Sequence, residues 1–460
     1  MNKKQKPQRV HFIAIGGAVM HNLAITLKKK GFKITGSDDE IFEPSSSKLE
    51  KHNLLPAMTG WHPDNITENI DYIILGMHAR KDNPELIKAL DLGIKIYSYP
   101  EYIYELTKGK KRIVISGSHG KTTITAMIIH ILNYYNYRFD FLVGSQLKGF
   151  DTMVRLSDDS GLAILEGDEY LSSALDTKPK FLWYKPDICV ISGIAWDHVN
   201  VFPSINDYVA AFKELVTTIN KDGHIIYYKH DKPLQEIIKK RAPDILAVPY
   251  EVHEYTTKNY RTFLVYQGEE FPIKVFGNHN LQNFNAAKQV CELLGIESSG
   301  IYRAMASFEG ASRRLQQIVS TEHSAVYIDF AHSPSKLKAT INSVKEQYPG
   351  RLLVACMELH TYSSLNLNYI SQYANTMDEA DTGLIYFDPE VFRHKKLKLF
   401  TSDEVKKAFN NDSLHIFTDK SELIHFLEKQ KWSGKNLLIM SSGNFSGINI
   451  NDLANKLINK

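Results

Sequence analysis

The 460-residue sequence predicts an α/β protein of three domains, each built on a largely parallel sheet. Three observations predict it. Short apolar runs alternate with helical patterns along most of the chain, as in strands joined by crossover helices. Strand–glycine turn–helix units occur at 10–30 and again at 113–130. The length suits about three domains of ~150 residues.

Val10 to Ile15 reads as a strand, Gly16-Gly17-Ala18 as a turn, and Met20 to Lys30 as a helix that Gly31 ends. A second strand, Phe32 to Gly36, finishes at Ser37-Asp38. Such a βαβ unit with an acid about twenty residues past the glycines predicts a Rossmann-like nucleotide fold. Ala14 and Val19 stand where the G-x-G-x-x-G fingerprint has its first and third glycines, so a nicotinamide dinucleotide fits poorly. A nucleotide-sugar diphosphate fits better, with Gly16, Gly17 and Ala18 at the helix start and Ser37 or Asp38 near the ribose or base. Strands at 71–76 and 94–97, a helix at 84–92 and a closing helix at 100–107 complete a domain of residues 1–108. The basic run Lys108-Gly-Lys-Lys-Arg112 reads as a linker.

The central domain, 109–312, opens with strand Ile113 to Ser116, the turn Gly117-Ser-His-Gly120, and a helix from Lys121-Thr122-Thr123. This predicts a P-loop ATPase-like domain. Amides at a helix start point at an anion, Lys121 supplies charge for the outer phosphates of ATP, and the Thr122 hydroxyl suits Mg2+. The glycines are closer together than in G-x-x-x-x-G-K-[ST], a shortened loop; the bland alternative is a strand-to-helix turn with a surface Lys. A strand from Leu162 ends in Glu166, Asp168 and Glu169, and a strand from Ile188 ends in Asp197-His198. Either end alone would be a solvated strand terminus. Together, after a phosphate loop, they make Thr122, Glu166 and His198 candidate Mg2+ ligands, with imidazole unusual for so hard a cation. Helices are expected at 206–220 and from Gly277 to Leu294. In the latter's first turns His279, Asn280 and Asn283 are placed to read adenine, while Asn278 and Asn285 read as ordinary caps.

Gly310 to Leu315 reads as a hinge into the third, Rossmann-like domain, 313–460. Its first strand ends in Asp329 and His332, a helix follows Pro334, and later strands are expected at 351–357, 382–387, 413–417 and 436–440. Polar loops Glu358 to Ser364 and Ser441 to Gly447 end two of these strands and are candidate ligand loops.

Composition narrows the function. A net charge of +3 in 460 residues gives no basis for a nucleic-acid partner. Three scattered cysteines without metal spacing, no secretory signal and no apolar run of ~18 residues predict a cytoplasmic protein that does not insert into membranes.

The ordered set of motifs resembles the Mur ligase family nearly end to end. It runs from Gly16-Gly17-Ala18 through Ser118-His-Gly-Lys-Thr-Thr123, Glu166-Gly-Asp-Glu169 and Asp197-His198 to Gly277-Asn-His-Asn280 with Asn283. Arg313-Arg-Leu315 and Asp329-Phe-Ala-His332 with Pro334 close it. The resemblance implies an ATP- and Mg2+-dependent ligase of peptidoglycan biosynthesis or recycling, with an acyl-phosphate intermediate. It implies Lys121, Glu166, His198 and Arg314 as catalytic residues. Gly117, Ser118, His119, Gly120 and Thr123 would line the nucleotide phosphates, Arg314 would reach the γ-phosphate on domain closure, and Asp329 and His332 would serve the ribose. The shared substrate is UDP-N-acetylmuramate. Glu166-Gly-Asp-Glu-Tyr170 with Asp176-Thr-Lys-Pro-Lys-Phe181, and Met440 to Gly447, are similar to the murein peptide ligase branch. That favours the tripeptide L-alanyl-γ-D-glutamyl-meso-diaminopimelate as the amine, near His360, Tyr362, Ser363, Ser442 and Asn444. L-Alanine is the alternative, and a regulator that binds without ligating is a third. The sequence departs from the family at Ala14, at Ser333 (a second His elsewhere), and at Phe212, where several members carry a modified Lys; Lys213 reads as solvated.

Overall fold

The computed structural model describes residues 7–147, 149–196 and 201–458. They form two compact units. Residues up to Gly117, Ile124–Ile194 and Asn206–Pro249 make the first; Ser118–Thr123, Ala195–Ile205 and Tyr250 onward make the second.

In the first unit, strands Lys33–Ser37, Arg9–Ile13, Tyr72–Leu75 and Lys95–Ser98 lie in that order, all parallel. Ala14, next after the first strand, has φ +68°. The left-handed conformation that the fingerprint reserves for glycine is therefore kept, at the steric cost of a methyl group. A second sheet runs 246–250, 224–228, 188–191, 111–116, 162–166, 140–142 and 154–155 among the described residues, with the phosphate-loop strand at its centre. The pairs from 224–228 across to 140–142 are parallel, and 140–142 pairs with 154–155 antiparallel. Ile113, Val114, Ile115, Ile164 and Leu165 are all 0% exposed. Both faces of the sheet are covered, which is why these strands read as continuous apolar runs rather than alternating ones.

The basic run at 108–112 is not a solvated linker. The strand Lys111–Ser116 starts inside it. The buried Arg112 guanidinium donates to the carbonyls of Thr107, Lys108, Lys110 and Tyr184 at 2.8–3.0 Å. Lys110 pairs with the buried Asp140 at 2.5 Å. Arg112 and Lys110 pin the strand's entry, while Lys108 and Lys111 are exposed.

The second unit holds a small antiparallel sheet (255–258, 261–266, 269–273), the helices Asn278–Leu293 and Ser298–Met305, and a larger sheet. That sheet orders 316–320, 325–329, 435–440, 352–358, 382–386 and 415–417; all pairs but the first are parallel. Its two cores follow the two-residue period of strands. Tyr327, Ala355, Met357, Ile385 and Leu438 face one layer, and Val326, Val354, Cys356, Leu384 and Leu437 the other. Each buried aliphatic side chain contributes roughly 1.5–3 kcal/mol. The free thiols Cys189, Cys291 and Cys356 are buried, and burial pushes each up, away from a reactive thiolate. No helix among the described residues is long and apolar enough to cross a membrane.

Candidate functional site

The phosphate loop is shaped by two glycines in the left-handed region, Gly117 at φ +119° and Gly120 at φ +77°. A Cβ at Gly117 would collide with the Ser192 hydroxyl, and one at Gly120 with the Asn283 amide oxygen. Only glycine fits either place, and the backbone they shape delivers the chain into helix Lys121–Tyr134. A turn with bare backbone at Gly117 and Gly120, set at a helix start, fits the phosphates of a nucleotide.

Within the second unit, side chains gather on Ser118–Thr123. Ser118 Oγ accepts from Ala195 N at 2.8 Å, His119 Nε2 lies 2.7 Å from Ser335 Oγ, and Arg314 Nη2 donates to Thr122 Oγ1 at 3.3 Å. Arg314 thus contacts the loop at Thr122; the expectation from the sequence is that it reaches the γ-phosphate when the third domain closes. Its guanidinium lies 4.5 Å from the Phe330 ring. The neighbouring arginine is engaged elsewhere, since Arg313 donates to the carbonyls of Ser441 and Gly443 at 3.1 and 2.6 Å. The two neighbouring arginines are thus bonded to different loops.

The hinge is conformationally strained, with Arg313 at φ +54° and Leu315 at φ +45°. Asp329 holds it by accepting Leu315 N at 2.5 Å. Burial raises the Asp329 carboxyl, and the Arg314 charge opposes the rise. His332 Nδ1 is 2.7 Å from the Phe330 carbonyl.

The three side chains expected to read adenine do not act alike. His279 Nδ1 is 3.1 Å from Ser343 Oγ, and burial pushes the ring down to about 4, so it is neutral near pH 7. Asn280 donates back to the Phe276 carbonyl at 2.9 Å. Asn283 instead abuts Gly120, at the phosphate end. The helical spacing alone did not show which residue turns toward the loop.

In the first unit the acidic strand end is sorted by its partners. Asp168 pairs with Lys180 at 2.7 Å. Glu169 is 0% exposed and accepts from Tyr208 OH at 3.0 Å. Glu166 is partly exposed and accepts from Gly144 N at 2.7 Å. A carboxylate and the Thr122 hydroxyl are hard oxygen donors of the kind Mg2+ takes. His198, with Asp197, lies outside the described residues. Phe212 is buried against Phe181 and Tyr208, and Lys213 is exposed, as read from the sequence.

At the first glycine turn, Asp38 accepts from Gly16 N at 2.7 Å. Burial raises its carboxyl to about 6, against the pull of that amide. Gly17 is the N-cap of helix Ala18–Lys29. Ser37 is placed differently from the expectation of a ligand contact: its hydroxyl is buried and donates to Glu85 Oε2 at 2.5 Å, with His11 Nε2 at 3.0 Å. Glu85 also accepts from His62 N at 2.8 Å. Nothing in the sequence spacing signalled this buried network.

The two third-domain loops do meet. Glu358, 2% exposed, accepts from Ser441 Oγ and from Phe445 N at 3.0 Å. A Cβ at Gly443 would lie 2.8 Å from the His360 ring. Tyr362 is exposed, Ser363 is buried, Ser442 is half-buried, and Asn444 is exposed with its side chain accepting from Gly447 N at 3.3 Å. Lys395, which the sequence reading missed as one charge among many, donates to the His360 carbonyl at 2.7 Å and lies 4.4 Å from the Tyr362 ring centre.

Comparison with known proteins matches residues 9–111 to the Mur ligase family catalytic domain, 115–291 to the Mur ligase middle domain, and 313–443 to the Mur ligase glutamate ligase domain. A curated relative from Clostridium tetani, UDP-N-acetylmuramate–L-alanine ligase, is 32% identical over 95% of this chain and 96% of its own. One of the same name from Caldicellulosiruptor bescii is 31% identical over 86% of both chains. Two solved structures share the fold: a murein peptide ligase from Psychrobacter arcticus (TM-score 0.67, 22% identity, 98% of this chain and 99% of that) and a UDP-N-acetylmuramate–alanine ligase from Thermotoga maritima (TM-score 0.73, 19% identity, 98% of both).

Proposed function

The chain belongs to the Mur ligase family, and from that premise we propose that it joins the carboxyl group of UDP-N-acetylmuramate to the amino group of L-alanine with ATP and Mg2+. ATP supplies the phosphoryl group: a carboxylate oxygen attacks the γ-phosphorus as the bond to ADP breaks. The amine nitrogen then attacks the acyl carbon, phosphate leaves with the bonding electrons, and the amine gives up a proton. Such chemistry is chiefly positioning and charge neutralisation.

The observation that carries the ligase reading is the phosphate loop, with Arg314 set on Thr122 at 3.3 Å. In this reading Lys121 and the backbone of Gly117 to Gly120 hold the outer phosphates and Thr123 supports the helix start. Arg314 neutralises charge that develops in transfer, and Thr122, Glu166 and His198 hold Mg2+. His279 and Asn280 serve the adenine, Asn283 the phosphate end, and Asp329 and His332 the ribose. Gly16, Gly17, Ala18 and Asp38 take the nucleotide sugar, and Ser37 supports the turn, its carbonyl accepting from Ala14 N and Ile15 N at 2.9 and 3.1 Å. The domains are 1–108, 109–312 and 313–460. Lys121→Ala removes one charge-stabilising group, typically worth ~3–4 kcal/mol of transition-state energy. Phosphate release is expected to fall about 10²- to 10³-fold while calorimetric binding of UDP-N-acetylmuramate stays intact. Release at the wild-type rate would refute the assignment.

The choice of amine rests on the names of the curated relatives, which support L-alanine over the tripeptide that the sequence motifs favoured. A second reading keeps the tripeptide L-alanyl-γ-D-glutamyl-meso-diaminopimelate. It is favoured by Glu166 to Tyr170, Asp176 to Phe181 and Met440 to Gly447, and His360, Tyr362, Ser363, Ser442 and Asn444 would then meet the longer substrate.

A further inference from the structure

The helix Pro334–Gln347 starts without a side-chain cap. Its N-cap residue, Ser333, makes no side-chain bond to the first turn, and Pro334 has no amide hydrogen. Ser is a favoured N-cap because its oxygen accepts from those first-turn amides. Here the Ser333 hydroxyl is 3% exposed and has no hydrogen-bond partner among the described residues. A buried hydroxyl left unbonded carries a desolvation cost, and such a group calls for an explanation.

The surroundings supply one. Two residues on, Ser335 Oγ is 2.7 Å from His119 Nε2 of the phosphate loop. From the hinge, Arg314 reaches Thr122. These two bonds bring the start of helix Pro334–Gln347 within a side chain's reach of the start of helix Lys121–Tyr134. Each helix start presents donor amides and the positive end of a dipole. The nearby carboxylate, Asp329, is turned to Leu315 N and, at 3.5 Å, to Thr340 Oγ1. Two positive ends joined by a histidine, with an unbonded buried hydroxyl on one of them, make a place for an oxyanion.

We propose that the Ser333 hydroxyl and the Ser335 amide form the second half of an oxyanion site whose first half is the phosphate loop, and that this site holds inorganic phosphate after the amide bond forms. A carboxylate of the incoming amine has similar chemistry. Phosphate is the better occupant because Ser335 is bonded to the loop that grips phosphates. The proposal rests on the ligase reading only for where the phosphate comes from.

The test is calorimetric binding of inorganic phosphate to the full chain in the presence of Mg2+ and ADP, with three variants. Ser333→Ala removes a hydroxyl that bonds to none of the described residues. Its Tm is expected to match the wild type while phosphate affinity falls about tenfold, the scale of a lost charge-assisted hydrogen bond. Ser333→Thr keeps the hydroxyl and should restore binding. Ser333→Asp should cap the helix, raise Tm and abolish phosphate binding. Unchanged phosphate affinity in the Ala and Asp variants overturns the proposal. So does a raised KM for the amine in Ser333→Ala with phosphate binding intact, which would place a carboxylate there. Failure of the ligase reading shows separately, as wild-type protein that binds phosphate but releases none from ATP with any amine.

Discussion

Asp38 is the residue whose ionisation the fold disturbs in a readable way. Its carboxyl is raised from 3.8 to about 6, chiefly by burial, while Gly16 N–H holds it down. Between about pH 4 and 6 the folded chain therefore binds the proton more tightly than the unfolded chain. Stability falls as pH rises through that window, and the penalty is complete above about 6. Asp38→Asn keeps an oxygen for Gly16 and removes the charge. Its Tm should exceed the wild type above about pH 6 and converge with it near about pH 4. Parallel Tm profiles for the two proteins would rule out a buried, proton-binding Asp38. The acid at this place was legible from its distance past Gly16; its neighbour was not. Ser37 reads as a ligand contact until Glu85, far away in sequence, is seen to take its hydroxyl.

At the scale of elements, the third domain's two loops behave as one through Glu358. Removing that buried carboxylate in Glu358→Ala leaves Ser441 Oγ and Phe445 N without their acceptor. The cost should be about 2–4 kcal/mol, read from denaturant midpoints. Because the tripeptide reading places the amine at these loops, KM for the tripeptide should then rise more than KM for ATP; an equal rise in both would detach the loops from the amine. The central strands, such as Lys111–Ser116 and Leu352–Glu358, were legible because each carries a buried run, and the phosphate loop because glycine, Lys and Thr spacing states its own chemistry. Some short helices were not, although Pro84–Asp91 was. Ser45–Lys51 carries a single apolar residue, Leu49. Lys232–Lys239 spans barely two turns, so its buried face of Leu234, Ile237 and Ile238 is too short to stand out as a period. The run at 108–112 misled for a physical reason: Arg112 is buried by satisfying carbonyls, which composition cannot show.

For the whole molecule, the chain passes back and forth between two compact units, so residues 118–123 belong with the third-domain sheet while the strand before them does not. Sequence order therefore predicted three sheet-based domains in series but could not show that Thr122 and Arg314, or His119 and Ser335, are neighbours. Membership of the Mur ligase family was legible from the order of the motifs. The amine was not, because short motifs pointed to a tripeptide whereas the curated relatives of nearly full length are named L-alanine ligases.

Phosphate release from ATP, with Mg2+ and UDP-N-acetylmuramate present, decides between the readings when L-alanine or L-alanyl-γ-D-glutamyl-meso-diaminopimelate is added separately. An L-alanine ligase releases phosphate in dependence on L-alanine, with UDP-N-acetylmuramoyl-L-alanine as the product, and this is the expected result. Release with the tripeptide alone would contradict the choice of amine, and release with neither would contradict the ligase itself.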